Sequence, residues 1–266
     1  MSGWRGSIGQ HGWLLAVWLA AAPAVASGGE LQAAYEVSWA GIAVGRVETS
    51  LDGGAVDDAG YRLSWQGTTV GLAQSLFPFA SAGSSEGRRV DGRILSGRFA
   101  GETRWSDGGS RWLVTFAADG HAGRIELAPD SRAAREPVPA ALQLAPDPMA
   151  LLLQAVESAA PGLRADGTSF DGKRVVRYTT SCDLEGAPAD TAPPELLCTI
   201  EGRLLAGAAK DAAPERPAWR QAPIRAWLRR GLRPGGWWPV RIEVPAPIGT
   251  VAARLVELQG RPHIEG

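Results

Sequence analysis

Apolar and polar residues alternate with a period of two through most of the chain. Residues 35–39 read YEVSW and residues 61–65 read YRLSW, so an aromatic or aliphatic side chain occupies every second position. The turn-forming segments Asp52–Gly54 and Asp107–Gly109 each follow such a stretch. This period is typical of half-buried antiparallel strands, and glycines within strands indicate bends. The pattern predicts a mainly β fold, either a curved antiparallel sheet or a partly open β-barrel.

One segment has the period of a helix instead. Asp147 is a suitable N-cap residue, and Pro148 fits the first helical position. The residues from Met149 to Val156 then place apolar side chains on one helical face. We predict one packed α-helix over about 147–159. A second, short helical insert around 71–76 is an open alternative.

The first residues have the three parts of a secretory signal peptide. Arg5 gives a positive n-region, residues 13–22 form an apolar run, and Ala24-Val25-Ala26 match the small-x-small pattern before a cleavage site. The apolar run is too short to span a bilayer. We expect cleavage after Ala26 and export to the periplasm, with no transmembrane segment in the mature chain. A buried N-terminal helix is the alternative interpretation.

The chain has two cysteines, Cys182 and Cys198. In an oxidising compartment, such a pair favours a single disulfide bond. A metal site needs further ligands, and the mature histidines, His121 and His263, stand at no recognisable ligand spacing. A redox site favours Cys-x-x-Cys, which is absent. We predict the disulfide, with no metal and no cofactor; free thiols and a metal site remain alternatives.

Length and charge limit the domain organisation and the partners. Of 266 residues, 27 are Lys or Arg and 28 are Asp or Glu, so the chain is nearly neutral. A nearly neutral chain gives no electrostatic reason to expect a nucleic acid as a partner. Residues 27–266 are long enough for one large domain, and we predict a single β-rich domain structured over about 31–258.

Five segments resemble, in order, those of an exported bacterial family known as domain of unknown function 3108. They are YEVSWAGIAVGRVE, SLFPFASAGSSEG, DPMALLLQAV, FDGKRVVRY and WWPVRIEV. The resemblance extends from about residue 31 to residue 258. It implies a periplasmic, β-rich domain with a curved sheet, and it brings no established activity with it.

Catalysis has little support in the sequence. His121 lies in an Asp-Gly-His-Ala-Gly stretch typical of a turn, although a serine nucleophile needs a base such as histidine. Asp171 is the most prominent candidate for a hydrolase acting on a glycan or ester. However, Asp171-Gly172 is also a typical hairpin turn. We predict a protein that is not an enzyme and has no catalytic residues, with a hydrolase as an alternative.

Binding of an apolar or amphipathic ligand, such as a lipid, fits the predicted fold better. A curved sheet with a helix across its concave side can leave an apolar pocket. Several tryptophans stand at strand positions expected to face inward. The candidate ligand-binding residues are Trp39, Trp65, Trp105, Leu152 and Val156. These side chains are equally typical of a packed core, so both interpretations stay open.

A structural or assembly role in the cell envelope is the third function class. Strand edges could dock an envelope protein. An arginine-rich stretch between residues 216 and 233 also contains Trp219 and Trp227, and it could contact an anionic partner such as phospholipid head groups. A solvated strand face with arginines outward explains the same pattern. The sequence does not determine the oligomeric state.

Overall fold

The computed structural model describes residues 31–53, 60–185, 194–211, 222–233, 236–259 and 261–262. The predicted signal peptide, His263 and part of the arginine-rich stretch lie outside these residues. The described residues form strands β1 (Leu31–Trp39), β2 (Ile42–Asp52), β3 (Gly60–Thr69), β4 (Phe79–Val90), β5 (Arg93–Trp105), β6 (Gly108–Phe116), β7 (Ala122–Ala128), β8 (Leu163–Phe170), β9 (Val175–Glu185), β10 (Glu195–Ala206), β11 (Ile224–Arg233), β12 (Gly236–Pro245), β13 (Thr250–Leu258) and β14 (Arg261–Pro262), and helices α1 (Gly71–Leu76) and α2 (Pro148–Glu157).

These strands form one antiparallel sheet. The strand order is β7-β6-β5-β4-β3-β2-β1-β13-β12-β11-β10-β9-β8, and β14 pairs with β13. Most neighbours in the sheet are also neighbours in sequence, as short hairpin connections require. The exception is the pairing of β1 with β13, which places the first strand beside a late one in the middle of the sheet. The prediction of a mainly β fold is therefore confirmed.

The sheet is strongly curved. Helix α2 contacts β4 and β5 from one half of the sheet and β8 and β12 from the other half. Gly172, in the turn between β8 and β9, lies so close to Val114 and Ile125 that a Cβ atom there would be 2.8 Å and 3.3 Å from their side chains. Strands from both ends of the sheet order therefore meet on one concave side. The fold is a partly open β-barrel that encloses α2.

Helix α2 is formed as the sequence predicts at its start and is shorter at its end. Asp147 caps it by accepting hydrogen bonds from the backbone amides of Met149 and Ala150, and Pro148 occupies the first turn. Its last residue is Glu157, with Ser158 as the C-cap, rather than residue 159 as predicted. Met149, Ala150, Leu153 and Val156 are buried, and Leu152 is half-buried against the core. The short helix α1 matches the alternative helical insert at 71–76.

Cys182 and Cys198 are joined by a disulfide bond, as predicted. They stand directly opposite each other on β9 and β10, and both are buried. The bond links the two strands beside the β9–β10 connection. It therefore ties together a hairpin close to the β8 edge of the sheet.

Replacing Cys182 with serine should lower the free energy of unfolding by about 2–4 kcal/mol, because the open chain regains entropy and the partner thiol stays buried. Urea denaturation of the parent and of Cys182→Ser measures this difference. Addition of a reductant should destabilise the parent and leave the variant unchanged. An equally stable variant, or two alkylatable thiols in the native parent, would contradict the prediction.

Candidate functional site

Three aromatic rings pack together on the concave face of β3, β5 and β6. The ring centroids of Trp65 and Phe99 are 6.0 Å apart, those of Trp65 and Trp112 are 6.4 Å apart, and those of Phe99 and Trp112 are 5.9 Å apart. Trp65 and Phe99 are buried, and Trp112 is half-buried. Aromatic pairs at such spacings stabilise each other beyond the area they bury. This aromatic cluster fills the middle of the barrel.

Two glycines make room for the cluster. A Cβ atom at Gly83 would lie 2.3 Å from Cζ2 of Trp65, and one at Gly101 would lie 2.6 Å from Cζ2 of Trp112. Both positions are also closely approached by a backbone carbonyl oxygen of the neighbouring strand. Each indole ring therefore lies flat against strand backbone where another residue would place a side chain.

Trp39 and Trp105 lie further along the same face, at the end of the barrel that carries α1. We call this the α1 end; it also carries the β1–β2 turn and the β12–β13 loop. Trp39 is half-buried and donates a hydrogen bond from Nε1 to the carbonyl oxygen of Ile248, at 2.6 Å. Trp105 is 37% exposed and stacks on Phe79, with the ring centroids 5.6 Å apart. Part of the aromatic surface is thus exposed at this end, as the described residues leave it.

Leu152 and Val156 lie towards the opposite end. Helix α2 begins beside Ser85 of β4 and runs away from the α1 end, because its last residue, Glu157, pairs with Arg89 further along β4. Val156 is nine residues from the N-cap, which corresponds to about 14 Å of helix. The structure therefore brings Trp39 and Trp105 to one end of the barrel, Trp65 to its middle, and the two helix residues to its other half.

A buried polar network fixes the start of α2. Oδ2 of Asp147 accepts hydrogen bonds from the hydroxyls of Ser85 (3.0 Å) and Ser96 (2.6 Å), and the backbone amide of Asp147 donates to Ser96 Oγ. The hydroxyl of Tyr61 lies 3.0 Å from Ser85 Oγ. Asp147 is completely buried, so each of its oxygens needs these partners. The sequence indicated the cap, but not the two serines on β4 and β5.

Burial also changes the acidity of this carboxyl group. Desolvation raises the pKa of Asp147 above its ordinary value, although the hydrogen bonds from Ser96, Ala150, Ser85 and Met149 favour the charged form. A carboxyl with a raised pKa in the folded state stabilises the fold most at low pH. That contribution is lost as the pH rises through the raised pKa. Protonation of Asp147 at acid pH is therefore not expected to destabilise the fold.

The end of α2 is held by an ion pair and an amide side chain. Arg89 is buried, its Nη2 donates to Glu157 Oε1 at 2.7 Å, and its guanidinium lies over the ring of Tyr61. The side chain of Gln154 accepts from the amide of Ile94 at 2.7 Å and donates to the carbonyl oxygen of Gly92. These contacts tie α2 to the β4–β5 hairpin along its whole length.

Asp171, the catalytic candidate of the sequence analysis, stabilises the turn between β8 and β9. Oδ1 of Asp171 accepts from the amides of Lys173 and Arg174, and Oδ2 accepts from Nε and Nη2 of Arg174. Burial opposes ionisation of this carboxyl, but the positive charges of Arg174 and Lys173 outweigh it and hold the pKa below its usual value. A carboxylate whose two oxygens both accept hydrogen bonds from its own turn is suited to closing a hairpin rather than to donating a proton.

The other polar candidates are dispersed. His121 lies in the β6–β7 turn, where its Nδ1 is 3.1 Å from Asp119 Oδ2 and both side chains are exposed. Within the described ranges, no group of three or more His, Cys, Asp and Glu side chains could hold a metal ion. In the arginine-rich stretch, Arg229 pairs with Glu195 and Arg230 lies over the ring of Trp237. These two arginines are thus already engaged within the sheet.

The fold is similar to a solved structure of unknown function. The crystal structure of a β-barrel-like protein of domain of unknown function DUF1849 from Brucella abortus aligns with a TM-score of 0.50 and 13% sequence identity, over 86% of this chain and 96% of that chain. No family model matches the chain, and no curated protein matches it in sequence. This likeness supports the β-barrel-like architecture; it does not support domain of unknown function 3108 specifically.

Replacing Asp147 with alanine should destabilise the protein by about 2–4 kcal/mol, because it removes a helix cap and leaves two buried serine hydroxyls without an acceptor. Urea denaturation measures the loss. The matched control is Asp166→Ala, at an exposed position on β8, which should change stability by less than about 0.5 kcal/mol. Equal stabilities for the two variants would show that the network does not anchor α2.

Replacing Gly83 with alanine should destabilise the protein by about 1–3 kcal/mol, because the new methyl group takes the space of the Trp65 ring. The near-ultraviolet circular dichroism of the tryptophans should change as the aromatic cluster shifts. Gly123→Ala is the control, since a Cβ there has only ordinary contacts, the nearest at 3.5 Å. A variant with parental stability and spectrum would refute the packing of Trp65 on Gly83.

Proposed function

We propose that this protein is an exported, non-catalytic protein of the bacterial periplasm that binds an apolar or amphipathic ligand, such as a lipid, at the α1 end of the barrel. The observation that carries the proposal is the partly exposed aromatic surface of Trp39, Phe79 and Trp105 on the concave face. Ligand sites of this kind are concave and lined mainly by apolar and aromatic side chains.

The packing of the barrel favours the α1 end over other parts of the concave face. The middle is filled by Trp65, Phe99 and Trp112, and the opposite half is filled by α2. Trp39 and Trp105 therefore provide the walls in this proposal, with Trp65 beneath them. Leu152 and Val156 have a supporting role, because they hold α2 in the barrel and so fix the curvature of the sheet.

The chemistry of the described acids supports a non-catalytic role. Asp171 is committed to its turn, and Asp147 is buried with four hydrogen-bond donors around its side chain. A hydrolase needs an acid and a base that both reach the substrate. Both carboxylates are instead occupied by hydrogen bonds within the protein. Membership of the domain of unknown function 3108 family is part of the proposal; its support is the order of the five segments along the chain.

A docking role in envelope assembly is the second candidate. Strands β7 and β8 end the strand order, so each presents one unpaired backbone edge within the described part of the sheet. Such edges can accept a strand of another protein.

No helix among the described residues is long and apolar enough to cross a membrane.

Protein recovered from the periplasm of cells expressing the full-length chain should begin at Ser27 and should carry a lipid in native mass spectrometry. The delipidated protein should bind a fluorescent apolar probe such as N-phenyl-1-naphthylamine. Trp105→Ala should weaken binding by at least about tenfold, because it removes a large part of the exposed aromatic wall.

Leu144→Ala is the control, since Leu144 is exposed outside the α1 end and should leave the affinity unchanged. A cytoplasmic protein with its first residues intact would refute export. An absence of bound lipid together with an absence of probe binding would refute the ligand and favour the docking role.

A further inference from the structure

The exposed apolar side chains of the protein are concentrated at the α1 end. Leu72 is 84% exposed and Phe77 is 70% exposed, and neither packs on the core. Among the described residues only two other large apolar side chains, Leu144 and Leu184, are exposed elsewhere. We call the exposed set at this end the apolar rim: Ile42, Leu72, Leu76, Phe77 and Ile248, with Trp105 at its border.

The segments that carry the rim lie next to each other, because they connect neighbouring strands of the sheet. The amide of Ala40 in the β1–β2 turn donates to the carbonyl oxygen of Thr250 beside the β12–β13 loop. The amide of Val70, just before α1, donates to the carbonyl oxygen of Val44 on β2. The hydroxyl of Thr69 donates to the carbonyl oxygen of Phe77. The β12–β13 loop, the β1–β2 turn and α1 are thus held side by side.

The three segments that build the rim carry no charge. Residues 37–45, 63–85 and 244–253 contain no Asp, Glu, Lys or Arg, in a chain in which 21% of the residues are charged. Charged side chains lie next to the rim on β5 and β6, where Arg104 and Arg111 pair with Glu102. An uncharged, apolar surface of this kind is suited to hydrocarbon and offers no ion pairs to a charged partner.

Helix α1 also lacks the features that stabilise a helix of its length within a protein. It has six residues, none of them buried, and no side chain caps its start. Most of the stability of a protein helix comes from packing of its apolar face. The apolar face of α1, with Leu72 and Leu76, is therefore left exposed by the described part of the chain.

We propose that the apolar rim is a lipid-surface binding site that inserts Leu72, Leu76, Phe77, Ile42 and Ile248 into the outer part of a bilayer. Trp39 and Trp105 lie just inside the rim, which places them near the level of the lipid head groups. Tryptophan is enriched at that level in membrane proteins, because its ring is apolar and its N–H group is polar. This inference does not require a ligand inside the barrel, because it rests on exposed residues alone.

Vesicle flotation tests the inference. The parent protein should float with vesicles of zwitterionic phosphatidylcholine, and binding should change little between low and high salt, because no rim charge contributes. The double variant L72S/F77S should bind at least about tenfold more weakly, since two exposed apolar side chains lose their transfer into hydrocarbon. Quenching of tryptophan fluorescence by brominated lipid should be strong in the parent and weak in this variant.

Leu184→Ser is the matched control, because Leu184 is an exposed leucine on β9, away from the rim. All three proteins share the same N-terminal residues, so any contribution of residues 13–22 to vesicle binding cancels in the comparison. Parental unfolding midpoints of both variants would show that folding is intact.

Equal vesicle binding by the double variant and the parent would overturn the inference. So would binding that needs anionic lipid and disappears at high salt, because that result would assign attachment to charged residues. Sedimentation that shows a dimer of the parent, abolished in L72S/F77S, together with no flotation, would assign the rim to a second copy of this chain instead.

Discussion

The buried hydrogen bonds of Asp147 are the interaction on which the architecture depends. They join the first turn of α2 to Ser85 and Ser96, two neighbouring positions on the β4–β5 hairpin. Because α2 also contacts β8 and β12, a helix fixed on one half of the sheet holds the other half in place. A fully buried carboxyl is costly without partners, so this contact strongly favours one position of the helix. The curvature of the barrel follows from that position.

The curvature divides the concave face into three parts with different properties. Helix α2 fills one half, the rings of Trp65, Phe99 and Trp112 fill the middle, and the α1 end stays open with Trp39 and Trp105 partly exposed. The packing that stabilises the protein and the surface available for binding are therefore spatially separate. Core side chains occupy the closed part, and the proposed ligand and lipid contacts occupy the open end.

The two proposed sites at the α1 end have a simple physical relation. An apolar ligand leaves a bilayer more easily if its path avoids water. The apolar rim surrounds the open end of the aromatic surface, so docking of the rim on a bilayer would place that surface next to the hydrocarbon. Each proposal nevertheless depends on different side chains: Trp105 for the ligand, and Leu72 and Phe77 for the lipid surface.

Local features of the sequence determined much of the secondary structure. The period of two predicted the strands, and the Asp-Pro start predicted α2 because a cap requires only residues one turn apart. The pair of cysteines predicted the disulfide from compartment and count. Asp171-Gly172 was predicted as a turn from the Asp-Gly pair itself. The prediction is local, because the carboxylate of Asp171 accepts from amides only two and three residues along the chain.

Only the tertiary structure decided how these elements combine. Ser85 and Ser96 are 62 and 51 residues from Asp147, and no local pattern marks them as its partners. Gly83 is recognised as a site for the Trp65 ring only once β3 and β4 are in register. The apolar rim joins Ile42, Leu72 and Ile248, which are far apart in sequence and unremarkable one by one. Contacts between distant residues depend on sheet order and curvature, and these are set by the burial of the whole core rather than by any single segment.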